Sequence, residues 1–460
     1  MQAFNRKARI DKNQKIDLSL HSAKVPTVTP NELVGTTMLA PVWKTLSKER
    51  VSDHLSSSEA VLIVSHSQEA MTDIEPYYPH ASHLIISKEE SVERLSQQLK
   101  TRAAIDHIVW ISPQNAITAI TDDTIITHQE TGVLNCFRMI KALLDNRYDS
   151  KHLKWTILTF QTQQVYSYHP IQSTHASILG LMGSMAKEYS NWQVRVCDLE
   201  TNGHIPHDIF TLPVNPNGDP YVYRNGKWYA PGLIPCHIDY LPQSIYRKQG
   251  VYVIIGGAGG IGKEFSRYLI ETYDARIIWM GRKQEDDIIR SKISELSISG
   301  TAPVYISADA TDFHSLTRAY EQIKARFSNI HGIIHSAIVL KDKGLANMDE
   351  TRFKETLCAK VNVSVRMAQV FQHEKLDFVL FFSSMMSFVK APGQSNYAAG
   401  CTFKDAFAIS LSMSWNCPVK VINWGYWGSV GIVASEVYQK RMEKEGIGSI
   451  TTMCFMQHPI

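Results

Sequence analysis

Residues 251–262, VYVIIGGAGGIG, constrain the fold of this chain more than any other stretch. The first five residues are apolar and mostly β-branched, glycines follow at once, and a helical pattern begins at Lys263. A strand, a glycine turn and a helix in this order form the context of a dinucleotide-binding fingerprint. In that context the turn approaches a pyrophosphate, and the helix N-terminus supplies N–H groups and a positive dipole. We therefore expect a nucleotide site here, whereas the glycine spacing alone would be weak evidence.

Predicted strands and helices alternate along the chain, which indicates parallel, doubly wound sheets. The predicted strands are 39–43, 60–64, 83–86, 107–111, 155–160, 193–199, 251–255, 276–280, 303–307, 331–335, 377–382 and 419–423. The predicted helices are 131–144, 176–188, 262–273, 285–297, 313–327, 349–372, 397–414 and 430–444.

The two halves of the chain look related to each other. Residues 153–200 and 376–425 repeat a pattern of strand, small-residue helix and strand, and their alignment places His175 opposite Tyr397. The strand at 60–64 is followed by SHSQ and not by a glycine turn, so it cannot cradle a pyrophosphate in the same way. We predict an α/β protein with two Rossmann-like doubly wound halves, the first a noncatalytic scaffold and the second catalytic. The predicted divisions are a tail at 1–34, a structural subdomain at 35–245, a catalytic subdomain at 246–450 and a tail at 451–460.

Length and composition limit the classes of function. A chain of 460 residues is too long for one ordinary hydrophobic core and fits two domains or two fused halves. A net charge of +3 without a lysine or arginine block gives no support for a nucleic-acid partner. The seven cysteines are scattered without CxxC spacing, which favours reduced thiols over a disulfide framework or a metal site. The N-terminus is polar and no apolar run approaches membrane-span length, so we expect a cytoplasmic protein with no membrane partner.

Three residues of the second half form a candidate catalytic group. Ser384 ends a predicted strand, Tyr397 opens a helix thirteen residues later, and Lys360 lies twenty-four residues before Ser384 on the preceding helix. Taken singly, the serine could be a helix cap, the tyrosine a packing residue and the lysine a solvated charge. When all three residues follow a dinucleotide fingerprint in the same chain, they together indicate the reduction of a carbonyl group.

Reduction of a carbonyl by a nicotinamide needs a hydride donor and a positioned acid. A phenol such as Tyr397 can give its proton to the forming alkoxide, and a nearby ammonium such as that of Lys360 would lower the phenol pKa. The Ser384 hydroxyl can hold the carbonyl oxygen as negative charge develops on it.

At these residues the chain resembles the ketoreductase domains of modular polyketide synthases, which belong to the extended short-chain dehydrogenase/reductase family. The resemblance covers roughly residues 35–450. In the first half, residues 40–43, 176–188 and 221–229 look like that family's noncatalytic subdomain. The matching stretches of the second half are GGAGGIG, SADATD at 307–312, HSA at 335–337, AKV at 359–361, FSS at 382–384, PGQSNYAAG at 392–400 and NWGYWG at 423–428.

The resemblance implies NADPH-dependent reduction of a β-ketoacyl chain to a β-hydroxyacyl chain. The substrate would be linked to the phosphopantetheine of an acyl carrier protein, among neighbouring synthase domains. Tyr397 would be the proton donor and Ser384 the carbonyl ligand, while Lys360 would tune Tyr397 and touch the nicotinamide ribose. The predicted cofactor-binding residues are Gly256, Gly259, Gly260, Ile261, Gly262, Arg282, Asp309, Ala310, Ser336, Ala337, Lys360 and Tyr397.

The choice of NADPH also has support in the residues themselves. The second strand of the catalytic half ends in Gly281-Arg282-Lys283, and a base at this tip suits a 2′-phosphate better than an acid does. Asp286 and Asp287 lie further on and are expected to start a helix. By the resemblance, Asp309 and Ala310 would lie against the adenine.

The chain departs from the resembled family at two places. Cys401 stands four residues after Tyr397, where free-standing short-chain dehydrogenases have lysine and the polyketide type usually has asparagine. A thiol is a weak hydrogen-bond partner, so the relay role of that asparagine does not transfer directly. Residues 451–460 lack the expected last helix and strand. A catalytically silent domain of the synthase is therefore the alternative, while the missing Tyr-x-x-x-Lys argues against a free-standing alcohol dehydrogenase.

Asp342 bears on the configuration of the product. The family type that gives D-hydroxyls usually carries Leu-Asp-Asp there, and this chain has Leu-Lys-Asp. The opposite type tends to have a tryptophan where this chain has Val389. The resemblance thus implies a D-product, although Asp342 could instead cap or solvate a surface loop. Trp427 and Tyr426 are expected to line the cleft mouth, and residues 430–444 to form either a lid or a packing helix.

Overall fold

The computed structural model describes residues 2–5, 36–46, 59–114, 119–201, 203, 205–236, 244–431, 433–444 and 446–450. The strands are β1 (Gln2–Asn5), β2 (Thr36–Thr45), β3 (Val61–Ser65), β4 (Ser82–Ile85), β5 (His107–Ile111), β6 (Leu153–Phe160), β7 (Trp192–Leu199), β8 (Pro220–Arg224), β9 (Lys227–Pro235), β10 (Val251–Ile255), β11 (Arg276–Gly281), β12 (Val304–Ser307), β13 (Gly332–His335), β14 (Phe378–Ser384) and β15 (Val419–Trp424). The α-helices are α1 (Val92–Lys100), α2 (Thr124–Thr127), α3 (Asn135–Asp145), α4 (Ser177–Glu188), α5 (Gly260–Tyr273), α6 (Asp287–Ser297), α7 (Phe313–Arg326), α8 (Glu350–Phe371), α9 (Met386–Val389), α10 (Ser395–Ser414) and α11 (Glu436–Lys444).

The described strands form one sheet in the order β12-β11-β10-β13-β14-β15-β1-β2-β9-β8-β7-β6-β5-β3-β4. The six strands from β12 to β15 are parallel and have the strand order of a dinucleotide-binding sheet. The strands from β8 to β4 are also parallel. The prediction of two doubly wound parallel halves is therefore confirmed, and β1, β2 and β9 join them.

The strand β1 lies within the stretch predicted as an unstructured tail. It pairs in parallel with β15 and antiparallel with β2, so it bridges the two halves. Its four residues, QAFN, show no hydrophobic alternation that would predict a strand. The strand forms because β15 and β2 provide hydrogen-bonding partners on both of its edges. The rest of the predicted tail and residues 451–460 lie outside the described part of the chain. The subdomain boundary at 245/246 stays a prediction.

Two strands of the first half were not predicted because their sequence contains strand-breaking residues. Asn225 and Gly226, both with positive φ, join β8 to β9 in a tight turn. Pro231 and Pro235 lie within β9 and lack the N–H that a central strand would need. Beyond Tyr229, β9 is paired with β2 alone, so the missing N–H groups can face away from the ladder.

Several helices also differ from the predictions, among them the one-turn helices α2 and α9, which were not predicted. The helix α1 was missed, although Ser91 caps its start by accepting a hydrogen bond from Arg94 N at 3.1 Å. The helix predicted at 131–144 begins at Asn135, after a wider π turn. The helix predicted at 430–444 begins only at Glu436, because Gly431 has φ +80° and interrupts the helical path.

The helix α10, which carries Tyr397, packs against α4 of the first half. A Cβ at Gly180 would lie 2.2 Å from the carbonyl carbon and oxygen of Ala398, so only glycine permits this approach. The rings of Phe137 on α3 and Phe353 on α8 also pack between the two halves, with centres 4.7 Å apart. The first half therefore supports the helix of the candidate site directly. In the part of the chain that is described, no helix is long and apolar enough to cross a membrane.

Candidate active site

The glycine turn after β10 has the geometry that the fingerprint requires. Gly256 has φ +86°, and a Cβ there would lie 2.8 Å from the backbone N and Cα of Ala337. A Cβ at Gly262 would lie 2.8 Å from the carbonyl oxygen of Gly257. Gly259 caps α5 without a side chain, so the first N–H groups of that helix point out of the turn. The turn therefore packs too closely for side chains at Gly256 and Gly262, and a glycine backbone of this kind allows the close approach of a pyrophosphate.

The three predicted catalytic residues converge beside this turn. Lys360 is buried in the middle of α8, and its Nζ lies 4.6 Å from the centre of the Tyr397 ring. Ser384, the last residue of β14, is hydrogen-bonded to Tyr397. All three residues line one cleft of about 200 Å³ together with Gly260 and Ile261. The structure thus places the candidate acid and the candidate carbonyl ligand next to the glycine turn.

The electrostatics of Tyr397 differ from the sequence expectation. Its pKa is raised well above the usual value, mainly by burial and then by Cys401, while the hydrogen bond with Ser384 lowers it. Lys360 was expected to bring the pKa of Tyr397 down, but burial is the largest influence on that pKa and raises it. The Lys360 Nζ lies over the face of the ring. Tyr397 therefore keeps its proton at neutral pH, which is the state that a proton donor needs.

A buried polar cluster lies behind Tyr397 on the same face of α10. Cys401 and Asp405 follow one and two turns later, and Ser383 lies near both. The Asp405 carboxylate accepts a hydrogen bond from Asn423 Nδ2 at 2.6 Å. Burial raises the pKa of both Cys401 and Asp405. Cys401 thus lies beside Tyr397, one turn further along α10.

Lys404 is a site residue that sequence reasoning missed. It is fully buried, and its Nζ donates to the carbonyl oxygens of His335 at 3.1 Å and Phe382 at 2.9 Å. Burial, followed by the nearby Lys360, holds its pKa well below the usual value. These bonds join the ends of β13 and β14, which lead to Ser336 and Ser384. The sequence signal was a lysine between the apolar residues Phe403 and Phe407 of the helix.

The predicted adenine and ribose positions lie at the tips of β11 and β12. Arg282 is exposed directly after β11, while Asp286 caps α6 by accepting from Ile289 N at 2.8 Å, as expected for a helix start. The Asp309 carboxylate accepts from Thr311 N at 2.9 Å within its own turn. Arg282 is therefore a basic group at this tip that can reach solvent.

The floor of the cleft is formed by Ser336 and Ala337, which follow β13. Ser336 N donates to the carbonyl oxygen of Ile255 at 2.8 Å, and this bond holds the segment against the glycine turn. Both residues line the same cleft as Tyr397. The predicted cofactor residues Gly256, Ser336 and Ala337 are therefore in contact with one another.

Asp342 is tied to the segment that precedes Tyr397. Its carboxylate accepts a hydrogen bond from Gln394 Nε2 at 2.7 Å, and Gln394 itself lines the cleft. Asp342 is therefore joined to the segment that precedes Tyr397. Gln394 was not singled out from the sequence, because a glutamine before a helix is an ordinary loop residue.

The far wall of the cleft comes from residues after β15. Trp427 is 1% exposed, and its ring packs edge-on against Trp424 with centres 5.3 Å apart, so it lies in the cleft wall and not at the mouth. Val433, Tyr438 and Met442 line the cleft from the α11 side. The segment predicted as either a lid or a packing helix thus covers the candidate site.

The equivalent position in the first half cannot perform the same chemistry. His175, which aligns with Tyr397, is fully buried, and burial lowers its pKa to about 3. The ring packs directly against Gly132, because a Cβ added at that glycine would lie only 2.3 Å from His175 Nδ1. Among the described residues, no group of three or more His, Cys, Asp or Glu side chains could hold a metal ion.

Comparison with known proteins gives consistent matches. Residues 250–429 match the KR domain family. Polyketide synthase PksN of Bacillus subtilis is 46% identical over 419 residues, which cover 91% of this chain and 8% of that protein. Polyketide synthase PksM of the same organism is 43% identical over 436 residues, covering 95% of this chain and 10% of that protein. The chain therefore spans about a tenth of the length of these curated relatives.

Solved structures share the fold over nearly the whole chain. An N-terminal ketoreductase from the macrolactin assembly line has a TM-score of 0.72 at 19% identity, covering 91% of this chain and 87% of that one. A ketoreductase domain from the bacillaene assembly line has a TM-score of 0.65 at 20% identity, covering 91% and 92%. The likeness extends over both halves.

Proposed function

Since this chain belongs to the KR domain family of polyketide synthases, a family of oxidoreductases, we propose that it reduces a ketoacyl thioester with NADPH to the hydroxyacyl thioester. The observation that carries the proposal is the convergence of Lys360, Ser384 and Tyr397 on one cleft beside the glycine turn. A silent domain would not need to keep all three.

The residues divide the chemistry as follows. A bound nicotinamide would supply the hydride to the carbonyl carbon. The Ser384 hydroxyl donates a hydrogen bond to the carbonyl oxygen, and the Tyr397 O–H transfers its proton to that oxygen as the alkoxide forms. The Tyr397 phenol is protonated at neutral pH, so this proton is present when the carbonyl binds. The ammonium of Lys360, over the ring face, stabilises the phenolate that remains until solvent returns a proton.

The residues around the turn fit the cofactor. The N–H groups at the start of α5 would bind the pyrophosphate, with Gly256 and Gly262 giving the room for its approach. Exposed Arg282 would bind the 2′-phosphate, which favours NADPH over NADH.

The substrate and partners follow from the relatives. The matching proteins are polyketide synthases much longer than this chain, so neighbouring synthase domains accompany such a domain there. We infer a β-ketoacyl chain on the phosphopantetheine of an acyl carrier protein, and a cytoplasmic location. The Asp342 loop at the entrance and Val389 in place of tryptophan favour the D-configured product.

Turnover by the chain tests this proposal. The protein is incubated with NADPH and a panel of α- and β-ketoacyl thioesters, free and carrier-bound, and products are followed by mass and chiral chromatography. We expect reduction of β-ketoacyl thioesters to D-hydroxyacyl products. NADPH binding without turnover of any thioester would favour the silent domain, and a predominantly L-product would refute the role given to Asp342.

A further inference from the structure

The last residue of α4, Glu188 in the first half, reaches across to two loops of the second half. One carboxylate oxygen accepts a hydrogen bond from the backbone N of Leu345. The other oxygen accepts from the backbone N of Gly393 at 3.1 Å. A single side chain of the first half is thus bonded to the backbone of both loops.

Each of these loops contributes to the candidate active site. The first, residues 338–347, carries Leu340, which lines the cleft, and Asp342. The second, residues 390–394, ends in Gln394, which lines the cleft three residues before Tyr397. The Asp342–Gln394 hydrogen bond joins the two loops on the cleft side, at 2.7 Å. Glu188 joins the same two loops through Leu345 and Gly393, so the two loops and α4 form a closed ring of contacts.

Other first-half side chains bind the same loops, again through backbone groups. Lys141 Nζ donates to the carbonyl oxygens of Leu345 at 3.0 Å and Ala346 at 2.8 Å. Ser184, one turn before Glu188 on α4, donates to the carbonyl oxygen of Ala391 at 2.7 Å. Because these bonds are to main-chain atoms, they set the positions of the loops whatever side chains the loops carry.

We propose that Glu188 is a positioning residue for ketoreduction, which fixes the distance between the two entrance loops and so the orientation of the ketone towards Tyr397. The inference rests on the proposed function. It assigns to the first half a part in substrate geometry in addition to support of the core. Charge-assisted bonds from one carboxylate to two N–H groups suit this task, because they are directional and strong.

The test compares Glu188→Ala and Glu188→Gln in the full chain. The carboxamide of glutamine keeps one acceptor oxygen and loses the other, so its effect should be intermediate. Glu130→Gln is the matched control: Glu130 also crosses between the halves, contacting Lys354 at 2.8 Å, but it touches neither loop. Four readouts are measured: NADPH affinity, kcat and KM for a β-ketoacyl thioester, the enantiomer ratio of the product, and hydrogen exchange at Leu345 and Gly393.

We expect Glu188→Ala to lower kcat/KM about tenfold to a hundredfold, as a misplacement of about 1 Å can do. The minor enantiomer should increase, NADPH affinity should stay unchanged, and exchange at both amides should accelerate. Glu188→Gln should fall between this variant and the wild type, and Glu130→Gln should keep the wild-type enantiomer ratio. A wild-type kcat/KM and enantiomer ratio in Glu188→Ala, or an equal loss in Glu130→Gln, would overturn the proposal. Failure of the unmodified protein to reduce any thioester would instead refute the proposed function.

Discussion

Gly256→Ala tests the glycine turn most sharply, because two separate costs can be worked out for it. With φ +86°, Gly256 lies in the left-handed region, which costs an alanine about 1–2 kcal/mol. The added Cβ would also lie 2.8 Å from the N and Cα of Ala337 and 2.9 Å from the carbonyl carbon of Ser336. Because carbon atoms pack at about 3.5–4.0 Å, the turn or its neighbour must move by about 1 Å.

Such a shift would displace the N–H groups at the start of α5 from the cofactor pyrophosphate. Loss of one hydrogen bond to a charged group is worth about 1.5–3 kcal/mol, so NADPH should bind about tenfold to a hundredfold more weakly. Affinity is measured by fluorescence titration of NADPH, with the thermal unfolding temperature recorded alongside.

Gly226→Ala provides the matched control. Gly226 has φ +74°, but a Cβ there would meet no atom within 4 Å, so the control has the backbone cost without the steric clash. We expect a similar loss of stability from the backbone strain and unchanged NADPH affinity. Wild-type NADPH binding by Gly256→Ala, or an equal loss of binding in Gly226→Ala, would refute the reasoning.

Three further substitutions test the site. Tyr397→Phe should remove most reduction and leave NADPH affinity nearly intact, because the phenol oxygen acts in the transition state; full activity would contradict the assignment. Arg282→Ala should reduce the preference of kcat/KM for NADPH over NADH, and equal efficiencies with both cofactors in the unmodified protein would argue against a 2′-phosphate site. Cys401→Asn should retain or raise the rate and Cys401→Ser should stay active, since both keep a small polar group beside Tyr397; inactivity of both would mean that the thiol has a specific role.

Much of the second half could be predicted because its signals are local. The apolar run at β10 and the glycines after it define a strand and a turn from neighbouring residues alone. The spacing from Lys360 to Tyr397 indicated a shared site, and the structure places both in one cleft. The raised pKa of Tyr397 could not be predicted, because it depends on burial by segments far away in the chain.

The contacts between the halves were beyond the reach of the sequence. Glu188 reads as an ordinary helix-terminal acid, and only the tertiary fold brings it to Leu345 and Gly393. The strand β1 has no sequence pattern that predicts a strand, because its formation depends on pairing with β15 and β2, which are distant in the chain. Lys404 reads as a surface lysine until the packing of α10 buries it under the ends of β13 and β14.

The transfer of a labelled hydride tests the central claim most directly. The protein is incubated with a β-ketoacyl thioester and NADPH carrying deuterium on the transferred position of the nicotinamide, and the product is examined by mass spectrometry and NMR. The account predicts one deuterium on the new carbinol carbon and one NADPH consumed for each hydroxyacyl thioester formed. Bound NADPH that is not oxidised, with the ketone recovered unchanged, would contradict it.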